Sequence, residues 1–248
     1  MNISEIKRVA DRCEENLNLN DMSLSDEHFY QSLPFCIIDA VYSPYAIYSG
    51  TKQTVINYCK CFRLRRIREP KIAHPPLIEE QQSIQQFLDV VSRYSFQDLA
   101  AQIFHNNQYT HSWQNAPLKA EAVVRFAQVL RKYDIDYFQD LATKYNDANL
   151  EKELDDIPGQ SKNVSIAYFF LLSGSDDFIK ADRRVRRFVG KSINKVPTTE
   201  ETQSGLREVV ILLKKSHPNL TARLLDHKIW QYDKKHDKKH MDEHYFPN

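Results

Sequence analysis

One aspartate stands alone among cations. In "KADRRVRRFVGK" the carboxylate of Asp182 is surrounded in sequence by Lys180, Arg183, Arg184, Arg186, Arg187 and Lys191. Such a density of positive charge is the footprint of a phosphate-binding surface, although a solvated helix face has the same composition. A carboxylate placed there repels phosphate, so it needs a reason. Two reasons fit: catalysis, or capping a helix that begins at Arg183.

Upstream lies "LDDIPGQSKNVSIAYFFLLSG", a helix stopped by Pro158, a tight turn through Gly159, Gln160 and Ser161, and a second helix. Glycine permits the turn and a close approach. Ser161 is of a type that caps the second helix, whose first N–H groups and dipole favour an anion. A helix, hairpin, helix element of this kind grips a nucleic-acid backbone without reading its sequence. An ordinary turn between two helices uses Pro-Gly as well.

The elements that must carry these residues are helical. The chain has 248 residues, of which 42% are hydrophobic, 27% are charged and only five are glycine; the net charge is +1. So few glycines argue against a Gly-rich nucleotide-binding α/β fold, and no stretch alternates with the period of a strand. About ten helices with short connections are expected, an all-α chain. The apolar run from Pro34 to Tyr42 starts with proline, where a missing N–H is harmless. "EPKIAHPP" reads as a linker. Cys13, Cys36, Cys59 and Cys61 have neither zinc nor iron–sulfur spacing and read as reduced thiols. No secretory segment or bilayer-length apolar run is visible, so a cytoplasmic protein is expected, nucleoid-associated if bacterial. His236, His240 and His244 share one helical face in a charged tail that reads as solvated; the spacing would also allow a metal.

From Leu154 to Val189 the chain resembles the helix-hairpin-helix (HhH-GPD) DNA glycosylase superfamily, of the endonuclease III and MutY-like kind. "IPGQSKN" stands where that family has an "LPGVGxK"-like hairpin, and "ADRRVRRF" where it has a "VDxxVxRV"-like segment. "LKAEAVVRFAQVL" is similar to its "KAENI"-type helix, and "LPFCIIDAVYSPYA" resembles its first barrel helix. The resemblance covers roughly residues 30–190. It implies two all-α domains with a DNA-binding cleft between them. Residues 30–176 would form a helical barrel domain containing the hairpin; residues 1–29 and 177–248 would form the second domain, ending in the charged tail. It implies a monomeric base-excision enzyme that hydrolyses the N-glycosidic bond of a damaged base flipped from double-stranded DNA. Asp182 would be the catalytic carboxylate. Pro158, Gly159, Gln160, Ser161, Lys162, Asn163, Arg183 and Arg186 would contact DNA, with a monovalent cation at the hairpin. The iron–sulfur cysteines of that branch are absent, so no such cluster is implied.

The departures matter. Asn163 stands where bifunctional members carry a nucleophilic lysine, and Lys162 is one residue early, about 100° away on a helix. Water as the nucleophile is therefore expected, with Lys162 as the lyase alternative. Asp39 aligns with a catalytic glutamate; its apolar company would raise its pKa and suit it as a general acid, or it is a buried structural aspartate. Tyr45 and Tyr48 follow the same helix, near where the family inserts side chains into DNA, and could stack on a base; they could equally be core. Arg63, Arg65, Arg66 and Arg68 form a second basic run, and "HNNQYTHSW", with His105, Asn106, Asn107 and Trp113, is a loop that could probe the opposite strand. The rival readings are a non-catalytic DNA-binding protein and a helical protein with a coincidental turn.

Overall fold

The computed structural model describes residues 1–46, 48–72 and 74–236; His240 and His244 lie outside them. Among the described residues there are twelve α-helices and no strand, only the isolated bridges Tyr30–Ile67 and Tyr109–Leu118. The helices are α1 (Ile3–Asn16), α2 (Leu33–Tyr42), α3 (Tyr48–Cys61), α4 (Ile84–Val91), α5 (Phe96–Asp98), α6 (Lys119–Lys132), α7 (Phe138–Leu141), α8 (Ala148–Asp155), α9 (Ala167–Leu172), α10 (Arg183–Ile193), α11 (Thr199–Leu213) and α12 (Ala222–His236). None is long and apolar enough to cross a membrane. The chain divides into two units, Met1–Leu24 with Asp176–Asn248, and Ser25–Ser175.

The first unit packs α1, α10, α11 and α12 together. Val9, Cys13, Phe188, Val189, Leu206, Val209, Leu225 and Ile229 form part of its core. Its helices start on side-chain caps: Asn2 with Glu5 for α1, and Thr198 with Glu201 for α11, each a reciprocal pair that satisfies two otherwise open N–H groups.

The second unit is built around α2, every residue of which is buried. A helix apolar all round belongs at a centre, and α3, α6 and α9 pack against it. The stretch read as a linker is stitched to this unit, with Pro76 O accepting from Gln81 Nε2 and Gln139 Nε2 (both 2.8 Å), and so are the residues just before it. Gln31 N–H donates to Arg66 O (2.9 Å) and Arg68 N–H to Phe29 O (2.9 Å). Arg68 is buried and donates to the carbonyls of Tyr30 and Ile72. Of the basic run, Arg63 and Arg65 are exposed, Arg66 lies 3.6 Å from Asp26, and Arg68 is core. Arg68 thus offers nothing to a DNA surface.

Candidate functional site

Asp182 lies in the first unit, at the head of α10. Its Oδ1 accepts from the N–H groups of Arg184 (2.8 Å) and Val185 (3.1 Å), so it is the N-cap. Its Oδ2 makes no hydrogen bond with a described residue, and the side chain is half-buried. One oxygen is thus fixed and the other is open. Beneath it, on α12, is Asp226, which sequence reasoning missed. Burial pushes the Asp226 carboxyl well up from the usual range, and the charge of Asp182 pushes it further.

The cations beside Asp182 are mostly committed. Arg187 grips Asp233 with both Nε (2.9 Å) and Nη2, and Arg184 reaches the same carboxylate at 3.2 Å. Arg186 donates Nε (3.0 Å) and Nη2 (2.9 Å) to the carbonyl of Pro197. The expectation that Arg186 contacts phosphate therefore meets a structural assignment. Arg183 is exposed and makes no hydrogen bond or ion pair with a described residue.

The hairpin lies in the second unit. Gly159 has φ +81° and sits against Thr110: a Cβ there would lie 2.7 Å from Thr110 Cβ. Gly159→Ala is therefore expected to destabilise this unit, by about 1–2 kcal/mol for the left-handed backbone alone and more for the collision; urea denaturation measures it. Ser161 occupies the cap position but its side chain makes no capping bond. Instead the Ser161 N–H donates to Ser165 Oγ (2.9 Å), and the Lys162 N–H donates to the Asp155 carboxylate (2.6 Å). The N–H groups expected to be open for phosphate are in part taken, one by an anion of the chain itself. The second helix also opens with a π-helical turn, Lys162–Ile166.

Lys162 reaches back to Glu151, with Nζ 2.5 Å from Oε2. Its amine is held in an ion pair. The amide atoms of Gln160 and the hydroxyl of Thr110 are buried and make no hydrogen bond. Their oxygens are of the kind a monovalent cation or a water takes.

Asp39 and Tyr48 are also in this unit, and both face inward. Asp39 is 0% exposed, and the Tyr30 hydroxyl donates to its Oδ2 at 2.7 Å. The phenols of Tyr30, Tyr48 and Tyr168 are all pushed upward, first by burial and then by the charge of Asp39, so they stay neutral. Asp39 presents no surface to a ligand in this arrangement, and Tyr48 is half-buried with its hydroxyl turned inward.

Tyr45 does the opposite. It is 95% exposed, with φ +57°, just past α2. A left-handed non-glycine residue persists only where its surroundings over-determine it, and here Lys119 does so. Its buried Nζ donates to the carbonyls of Tyr42 (3.1 Å) and Pro44 (2.7 Å) and to Gln108 Oε1 (3.1 Å). Burial pulls the Lys119 pKa down to about 8. Lys119 was not singled out from the sequence; its partners lie some 75 residues away.

Asp182 and Arg183 are thus brought together in one unit, and Pro158–Asn163 in the other, which also holds Asp39, Tyr45 and Tyr48 at separate depths. Cys13, Cys36 and Cys59 are buried free thiols and Cys61 is exposed. His236 Nδ1 lies 2.7 Å from Tyr232 O.

In class the chain is all-helical, with a capped, half-buried aspartate and a Pro-Gly hairpin as its chemically distinctive parts. It belongs to the family described as Domain of unknown function (DUF8548), whose model matches residues 7–234. No curated protein and no solved structure matches it.

Proposed function

We propose that this chain is a monofunctional DNA glycosylase of the helix-hairpin-helix type that hydrolyses the N-glycosidic bond of a damaged or modified base. The observation that carries the reading is the Asp182 carboxylate, with Oδ1 spent on the helix cap and Oδ2 open. In the reaction the base departs with the bonding electron pair. The open oxygen faces the positive charge left on the sugar; water adds to the anomeric carbon, the Asp182 carboxylate takes its proton, and that proton ends on the departed base, leaving free base and an abasic site. The ion-paired Lys162 supports water as the nucleophile. The reading asks one duplex to engage both units, the hairpin at a phosphate and Asp182 at the sugar. If a monovalent cation is bound at the hairpin, Gln160 Oε1 and Thr110 Oγ1 would hold it.

The test is a gel assay with labelled duplexes carrying a panel of lesions, read with and without hot alkali. Strand breaks only after alkali are the expected result; breaks without alkali would restore Lys162 as a lyase. A second reading, a DNA-binding protein without chemistry, is motivated by Asn163 standing where the family has its nucleophilic lysine and by Ser161 making no capping bond. It predicts salt-sensitive binding and no base release with any lesion.

Under either DNA reading, Tyr45 is the residue held out for stacking. Tyr45→Ala is expected to weaken duplex binding about tenfold, in line with base–aromatic stacking. Its thermal midpoint should not move, because the ring is 95% exposed. Fluorescence anisotropy and a melting curve check both halves.

A further inference from the structure

The segment that presents Asp182 is irregular and largely buried, so its backbone polar groups need partners from elsewhere. Two are side chains of neighbouring helices. Gln203 on α11 donates Nε2 to Ile179 O at 2.7 Å, and Asp226 on α12 accepts the Lys180 N–H on Oδ1 at 2.9 Å. The Lys180 carbonyl then accepts the Asp182 N–H at 2.7 Å, closing a tight turn. Asp182 in turn caps α10. The run of bonds leads from a carboxyl group that is 6% exposed to the half-buried carboxylate of Asp182.

We propose that Asp226 is a positioning residue for Asp182, a buried carboxyl group from which the Lys180–Asp182 turn hangs. The inference rests on the reading of Asp182 as the reacting carboxylate. The charged groups facing Asp226 from the segment are Lys180 and Asp182. From α10, Arg184 and Arg187 are committed to Asp233, seven residues further along α12. Burial and the charge of Asp182 outweigh Lys180, so the Asp226 carboxyl is held well above the usual carboxylate range.

The sign of the pH effect follows. The folded chain holds a proton on Asp226 that the unfolded chain releases near pH 4. Stability is therefore lost as pH rises from there toward the folded pKa.

Asp226→Asn and Asp226→Ala in the full chain test this. Asparagine keeps an acceptor oxygen for the Lys180 N–H and imitates the neutral acid; alanine removes the acceptor. In melting curves between pH 5 and 8.5, Asp226→Asn is expected to lose the wild-type decline with rising pH and to match or exceed wild type at the upper end. Asp226→Ala should melt lower throughout. In base release at pH 7, Asp226→Asn should stay within about threefold of wild type while Asp226→Ala falls tenfold or more. An asparagine variant as damaged as the alanine variant, or one with the wild-type pH dependence, overturns the proposal. If wild type releases no base, the glycosylase reading fails, while the melting curves still decide whether Asp226 is a neutral anchor for the turn.

Discussion

Asp182→Asn is expected to lower base release by about 10²- to 10⁴-fold, the range for removing a group that acts on charge and proton in the transition state. The fold should be unaffected. Asparagine caps helices as well as aspartate does, and its Oδ1 can accept from Arg184 and Val185 as the carboxylate oxygen does now. This separates the two reasons for an aspartate at this position. If it only caps, asparagine is neutral in every assay. If its charge is used, activity is lost while the melting curve and duplex binding are retained. Asp182→Ala is the complementary control, costing about 1 kcal/mol of stability through the lost cap. An Asp182→Asn protein with wild-type turnover would remove this residue from the mechanism.

Asp233→Ala should have the largest effect on stability. Asp233 is mostly buried and receives both Arg187 and Arg184. Removing it leaves two guanidinium groups at the α10–α12 interface without their carboxylate, and breaking a buried pair in this way costs about 3–5 kcal/mol. The midpoint of the first unit should fall by roughly 10 °C or more. Asp233→Asn, which retains acceptor capacity for one guanidinium, should fall less. A midpoint unchanged in Asp233→Ala would mean that the α10–α12 interface does not depend on this carboxylate.

The helical class was legible in the sequence, because scarce glycine and apolar positions at helical spacing leave little else. The apolar helix was legible too, from Pro34 to Tyr42, one residue short of its start at Leu33; its place at the centre of the unit was not. At Asp182 the sequence offered capping and catalysis side by side. The cap is present, and the open Oδ2 leaves the second reading standing as a proposal. What could not be read was the pairing of side chains across long stretches of chain. Arg187 meets an aspartate 46 residues on, and Lys119 meets carbonyls more than 70 residues back. Composition made the arginine cluster look like a free surface; tertiary contacts neutralise most of it. At the hairpin, Ser161 is a good cap by type, but Asp155, at the end of α8, reaches the helix start first. One signal was available and unused. Ala222, Asp226, Ile229 and Asp233 fall on one face of α12, so two acids lie on its buried side and called for partners.

The first unit joins the two ends of the chain around an insert of about 150 residues. During synthesis α1 emerges well before α10 and α11, which it packs against. If the intervening chain were unstructured, bringing these ends together would cost about 4 kcal/mol in loop-closure entropy. The insert is one contiguous stretch with its own buried helix, so it can fold before the C-terminal helices exist, and domains of a growing chain do fold as units in that order. Once folded, it replaces a long slack loop by a fixed span. The residues around Asp182 and Asp226 therefore come into register last, and a ribosome stalled before α12 would carry a finished hairpin and an Asp182 without its Asp226 anchor.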